Sequence, residues 1–78
     1  MNAEDKYLKF VQWSAEDRFY VGFCPDLFPW GGVCHGHTGE KTYHQLCELV
    51  REEVNALRQA GKELPFAVTR PMREVVLA

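Results

Sequence analysis

The sequence predicts an α+β fold in which one helix covers one face of an antiparallel sheet. Three observations lead to this fold class. Two runs of aromatic and β-branched residues flank a short polar turn, a third apolar run follows a loop, and a long amphipathic segment comes next. A chain of 78 residues is short enough for one domain, and we predict that residues 1–78 form it. The expected element order is β-β-β-α-β, with a three-stranded antiparallel sheet and a fourth, C-terminal strand.

The first two runs predict an antiparallel hairpin. Residues 7–13 form the first predicted strand, a polar turn spans 14–18, and residues 19–24 form the second strand, which Pro25 ends because proline has no amide proton to donate. Residues 25–32 hold two prolines and two glycines and are predicted to be a loop, after which 33–37 form a short third strand. The face that the helix leaves open is expected to carry several aromatic side chains, chosen from Tyr7, Trp13, Tyr20 and Phe23.

The amphipathic segment at residues 39–60 predicts the helix. Its apolar positions recur at spacings of three and four: Tyr43, Leu46, Cys47, Val50, Val54 and Leu57. Thr38 is the predicted N-cap, and Gly61 suits the left-handed position just after the helix. Residues 64–70 predict the fourth strand, and the role of the tail at 72–78 is left open.

Charge and composition exclude several function classes. Nine Lys and Arg residues against eleven Asp and Glu residues leave a net charge of −2, so the chain has no basic field to attract nucleic acid. No run of about 18 apolar residues predicts a membrane span, and the N-terminus lacks the pattern of a signal peptide. Three cysteines are an odd number for a disulfide framework. We therefore expect a cytoplasmic protein with reduced thiols, without membrane association or direct DNA binding.

Potential metal ligands cluster in the middle of the chain: Cys24, Cys34, His35, His37, His44 and Cys47. Zinc accepts such ligands, but no C-x-x-C pair is present, and the neighbours Cys34 and His35 point to opposite faces of a strand. The same divergence opposes a Cys/His nucleophile. Acidic residues fall at strand ends or on the helix, not at the strand centres that a metal-dependent nuclease uses. We predict that the protein is not an enzyme and binds neither cofactor nor metal, with a metal or thiol enzyme as one alternative.

The motifs along residues 7–66 resemble those of the HicB-like antitoxins. The matching pieces, in chain order, are Glu16-Asp17, Tyr20-Val21-Gly22-Phe23-Cys24-Pro25-Asp26-Leu27, Gly36-His37-Thr38-Gly39-Glu40 and Gly61-Lys62-Glu63-Leu64-Pro65. The chain departs from the family pattern at Arg18, His37 and Lys41, and in its longer loop at 28–30. The resemblance implies a truncated ribonuclease H-like fold without the catalytic acids of the nuclease.

The resemblance also implies a protein partner. HicB-like proteins bind and mask a small basic toxin of the HicA type, which cleaves messenger RNA. Many carry a C-terminal DNA-binding domain, and we expect no separate domain of that kind in this chain. Because 78 residues enclose only a thin core, we also expect a homodimer or a larger homo-oligomer.

Five residues are predicted to contact the toxin. The acids Glu16, Asp17 and Asp26 would oppose basic residues, and the aromatic Phe28 and Trp30 would fill apolar pockets, unless these two rings fold back over the sheet edge. Two other functions remain open. One is an orphan oligomeric domain of the same fold, and the other is an RNA-binding accessory domain whose exposed rings stack on bases, namely Tyr7, Trp13 and Tyr20.

Overall fold

The computed structural model describes residues 2–68 and confirms the α+β class. A 3-10 helix, Ala3–Lys6, precedes strands β1 (Phe10–Ser14), β2 (Phe19–Phe23) and β3 (Cys34–Gly36), and helix α1 (Gly39–Gln59) follows. The strands form one antiparallel sheet in the order β1-β2-β3. The predicted fourth strand is not shown, because residues 62–68 have no regular secondary structure and residues 69–78, with the tail, lie outside the described part.

Strand β1 begins at Phe10, three residues later than predicted. The chain before it turns away from the sheet, and the Tyr7 ring enters the core, where it is 2% exposed. The Tyr7 hydroxyl donates a hydrogen bond to the carbonyl oxygen of Pro65 at 2.5 Å, and the Lys9 ammonium donates to the carbonyls of Glu4 and Tyr7. The expectation that Tyr7 lies on the open face of the sheet is therefore wrong.

The hairpin between β1 and β2 forms as predicted. Its register pairs Phe10 with Phe23 at one end and Ser14 with Phe19 at the other. In the turn, the amide of Arg18 donates to the carbonyl of Ser14 at 2.7 Å, and Arg18 has a φ of 61°, in the left-handed region. Polar side chains suit such a turn because they replace the hydrogen bonds that the ladder no longer supplies.

Small residues decide which face of the sheet receives α1. A Cβ at Gly22 would lie 2.9 Å from the Cys34 sulfur and 3.3 Å from the Leu46 Cβ, so the helix packs directly over these positions. Trp13 and Tyr20 pair across the strands two residues further along the same face, and the Tyr20 ring lies near Gly39 at the start of α1. The prediction that Trp13 and Tyr20 lie opposite the helix is therefore wrong.

Both ends of α1 confirm the sequence signals. The Thr38 hydroxyl accepts the amide hydrogen of Lys41 at 3.1 Å, and Gly61 has a φ of 71°. At the C-terminus, the amides of Gly61 and Lys62 donate to the carbonyls of Arg58 and Leu57, which is a Schellman motif.

The buried stripe of α1 differs slightly from the predicted one. It consists of Thr42, Leu46, Val50 and Val54. Tyr43, which was predicted to lie on the apolar face of the helix, is 44% exposed. Thr42 takes the buried position because its hydroxyl is satisfied by the carbonyl of Thr38, at 2.7 Å.

Candidate functional site

The predicted contact residues lie in two places. Glu16 and Asp17 belong to the β1-β2 turn, whereas Asp26, Phe28 and Trp30 belong to the loop that follows β2. Because the turn precedes β2 and the loop follows it, the two groups begin from opposite ends of a five-residue strand that is roughly 15 Å long. The structure does not bring all five residues into one cluster.

The loop at residues 25–32, here called the aromatic loop, holds one buried and one exposed ring. The amides of Leu27 and Phe28 both donate to the carbonyl of Cys24, which turns the chain sharply at the end of β2. Leu27 enters the core and Phe28 packs against it. The Trp30 ring meets the Phe28 ring edge to face, with centroids 5.5 Å apart, and remains 75% exposed. Phe28 therefore folds back onto the core, while Trp30 projects into solvent.

Asp26 lies at the base of the aromatic loop and is half-buried. Burial is the main cause that raises the pKa of the Tyr7 hydroxyl and of the Cys24 thiol, and the neighbouring Asp26 carboxylate contributes in the same direction to both. Cys24 is thus a protonated core residue near neutral pH. Of the three predicted acids, only Glu16 and Asp17 are exposed.

The sheet face that α1 leaves uncovered, here called the open face, carries two ring pairs. Phe10 stacks on Phe23 with centroids 4.9 Å apart, and Phe19 stacks on His35 at 4.4 Å. Val21 lies between the two pairs, opposite Gln12 on β1 and His35 on β3. Strand alternation predicts that such a face exists, but of its aromatic side chains only Phe23 is among those predicted from the sequence.

Two open hollows flank Val21 on the open face. One, of about 330 Å³, is lined by Gln12, Trp13, Ser14, Asp17, Val21 and Phe23. The other, of about 270 Å³, is lined by Asp17, Phe19, Val21, Gly32, Val33, Cys34 and His35. Asp17 and Val21 line both hollows, so the Asp17 carboxylate lies beside the apolar side chains of each.

The cysteine and histidine side chains diverge as predicted. The Cys34 thiol faces α1 and donates to the carbonyl of Thr42 at 3.7 Å, and burial raises its pKa. His35 stacks on Phe19 on the other side of the sheet. All three cysteines are free. Within residues 2–68, no group of three or more His, Cys, Asp or Glu side chains is placed to hold a metal ion.

Comparisons with protein-family models, with curated proteins and with solved structures gave no match to this chain. None of the helical structure described between residues 2 and 68 is both long enough and apolar enough to cross a membrane. Function is therefore inferred from the chain's own residues and from the order of its motifs.

Proposed function

We propose that this protein is a non-enzymatic, cytoplasmic antitoxin of the HicB-like type, which binds and masks a small basic toxin that cleaves messenger RNA. One observation carries the proposal: Trp30 is 75% exposed although the Phe28 ring beneath it is packed on the core. A tryptophan held outward on an anchored loop exposes apolar area to water, and tryptophan is among the residues that contribute most to protein interfaces.

The positions of the motifs support the proposal through the fold. The observed order β-β-β-α agrees with the first four elements of the β-β-β-α-β order that the resemblance to HicB-like antitoxins implies, and the fourth strand is not shown. Pro25 lies two residues after the end of β2, Leu27 anchors the aromatic loop, and Thr38 and Gly61 lie at the two ends of α1. These residues have structural roles of their own, so the support for a toxin partner comes from the exposed groups.

Charge supports a basic partner. Glu16 and Asp17 are exposed in the turn, Asp26 is half-buried beside the aromatic loop, and the whole chain has a net charge of −2. Opposite charges across an interface raise the association rate and favour one orientation. In the proposal, Trp30 supplies the apolar anchor and the acids orient the toxin. We propose that self-association, as a homodimer or larger assembly, uses a strand edge and does not cover the residues that contact the toxin.

Of the three rings on which the RNA-binding alternative was based, the structure leaves one largely exposed, Trp13 at 49%. Tyr7 is buried in the core. Trp13 and Tyr20 meet edge to face on the helix side, with an interplanar angle of 64°. Base stacking needs flat, accessible rings, and the arrangement of these three residues favours packing within the domain.

The test is purification of the chain from its host at native expression, followed by mass identification of bound proteins. We expect a stoichiometric small basic protein that arrests growth when expressed alone, and whose toxicity the wild-type chain relieves. Trp30→Ala should weaken binding by about tenfold or more, as for a central interface tryptophan. Tyr43→Ala is the matched control, because it removes a partly exposed aromatic ring on α1 that belongs neither to the aromatic loop nor to the lining of either hollow, and it should leave toxin affinity unchanged.

Two results would overturn the proposal. The first is recovery of the homo-oligomer alone, which would favour an orphan domain of this fold. The second is unchanged toxin affinity in the double variant Trp30→Ala, Asp26→Ala with its fold verified by circular dichroism.

A further inference from the structure

We infer that the open face binds an arginine side chain of the basic partner, with Asp17 as the counter-ion of the guanidinium group. This inference rests on the proposed function and adds a second contact region to the aromatic loop. It depends on three features of the open face: a carboxylate held in place by the turn, apolar hollows on both sides of Val21, and the lack of any cation among the residues that line them.

The turn holds Asp17 in a defined orientation. The Ser14 hydroxyl donates to Oδ2 of Asp17 at 3.0 Å, and the amide of Asp17 donates to the same hydroxyl oxygen at 3.3 Å. Asp17 is exposed, and no Lys or Arg of the described chain forms an ion pair with it. An ionised carboxylate has about four acceptor sites. The Ser14 hydroxyl occupies one of these sites, so the Asp17 carboxylate can still accept two parallel hydrogen bonds from a guanidinium group.

The hollows fit a side chain better than a whole ligand. Their volumes, about 330 and 270 Å³, lie close to the lower limit of pockets for small molecules, roughly 300 Å³. Their apolar walls come from Val21, Phe19 and Phe23, and Asp17 lines both hollows. The polar groups on the rim, from Gln12 and Ser14, can pair with a partner's backbone. A long side chain with an apolar stem and a charged end matches this arrangement.

Arginine matches it better than lysine. Its guanidinium group is planar, donates two parallel hydrogen bonds to a carboxylate, and is less strongly hydrated than an ammonium group. The same plane stacks on aromatic faces such as those of Phe19 and Phe23. Binding of arginine would pair the exposed Asp17 carboxylate with a cation. It would also cover the apolar side chains around Val21.

A second copy of the chain fits the open face poorly. The face spans strands of five, five and three residues. At about 3.3 Å per residue and 4.8 Å between strands this is only roughly 200 Å², far below the ~800 Å² per partner of a standard interface. Neither hollow is lined by Lys or Arg in the described structure, so a symmetric pair through this face would leave both Asp17 carboxylates without a cation.

The test uses the isolated full chain, labelled with 15N, and a capped tripeptide probe of sequence valine-arginine-valine. We expect saturable amide shifts at Asp17, Val21 and His35, and weaker binding of the matched valine-lysine-valine probe. Asp17→Asn should weaken the arginine probe by about fivefold, since one charge-assisted contact is lost. Glu52→Gln is the control, because it removes the same charge from an exposed position on α1 that lines neither hollow, and it should change affinity less than about twofold.

Three outcomes would overturn the inference: no saturable shift, equal effects of Asp17→Asn and Glu52→Gln, or equal affinity for the arginine and lysine probes. The last comparison uses only the wild-type chain, so it holds even if a variant misfolds. Dilution-dependent shifts on the open face, together with a dimer-to-monomer change in light scattering, would assign the face to a second copy instead. Because the titration needs no toxin, its failure is distinguishable from failure of the Trp30 test.

Discussion

Replacing Gly22 with alanine tests which face of the sheet packs against α1. The added Cβ would lie 2.9 Å from the Cys34 sulfur and 3.3 Å from the Leu46 Cβ. Cys34 and Leu46 are both buried, and the Cys34 thiol also donates to the Thr42 carbonyl. Neither neighbour can move aside without disturbing the core, so the methyl group must push α1 away from β2.

The expected cost follows from two opposing effects. Overpacking a well-filled core costs about 1–3 kcal/mol, and replacing glycine recovers about 0.4–1 kcal/mol by restricting the unfolded chain. The net loss should be about 1–2 kcal/mol, or ~5–15 °C in Tm for a domain of this size. Cys34→Ala removes the nearest atom, so the double variant should cost about 1 kcal/mol less than the sum of the single variants.

Urea denaturation followed by far-ultraviolet circular dichroism measures these differences. Gly39→Ala is the matched control, because its Cβ would lie 3.9 Å from the Tyr20 ring, an ordinary contact, at the first residue of α1. It should leave stability unchanged or raise it by up to ~1 kcal/mol. If Gly22→Ala is as stable as the wild type, or if its cost is additive with that of Cys34→Ala, the helix does not pack as described. The assignment of the open face would then fail as well.

Two further predictions concern the helix cap and the response to pH. Thr38→Ala removes the hydroxyl that accepts the Lys41 amide hydrogen and should cost about 1 kcal/mol, whereas Thr38→Ser retains the acceptor; equal melting temperatures for the two variants would contradict the cap. Burial raises the pKa of Tyr7 above its ordinary 10.0 and those of Cys24 and Cys34 above 9.0, so the folded chain holds these protons more tightly than the unfolded chain. Their contribution to stability is complete below pH 9.0 and is lost as the pH rises through the higher folded values. The free energy of unfolding should therefore decline in alkaline buffer, and a flat profile up to about pH 11 would contradict the burial of these groups.

Elements whose signals are local were predictable from the amino-acid sequence. Thr38 and Gly61 marked the ends of α1, and the observed helix, Gly39–Gln59, stops one residue short of the predicted end. The hairpin was predictable because a polar turn separated two β-rich runs, and Pro25 marked the end of β2. These signals depend on backbone hydrogen bonding within a few residues, which needs no knowledge of the remaining chain.

Which side chains are buried and which are available to a partner depends on the packing of the whole chain. Strand alternation divides residues between two faces, but it does not say which face receives the helix. That depends on the register, which places Gly22 beside Cys34 and lets α1 approach closely on that side. The same packing turned Tyr7 inward and left Trp30 outside while Phe28 was covered. The candidate contact surfaces were therefore only partly predictable, because whether an apolar side chain is exposed depends on which other parts of the chain pack over it.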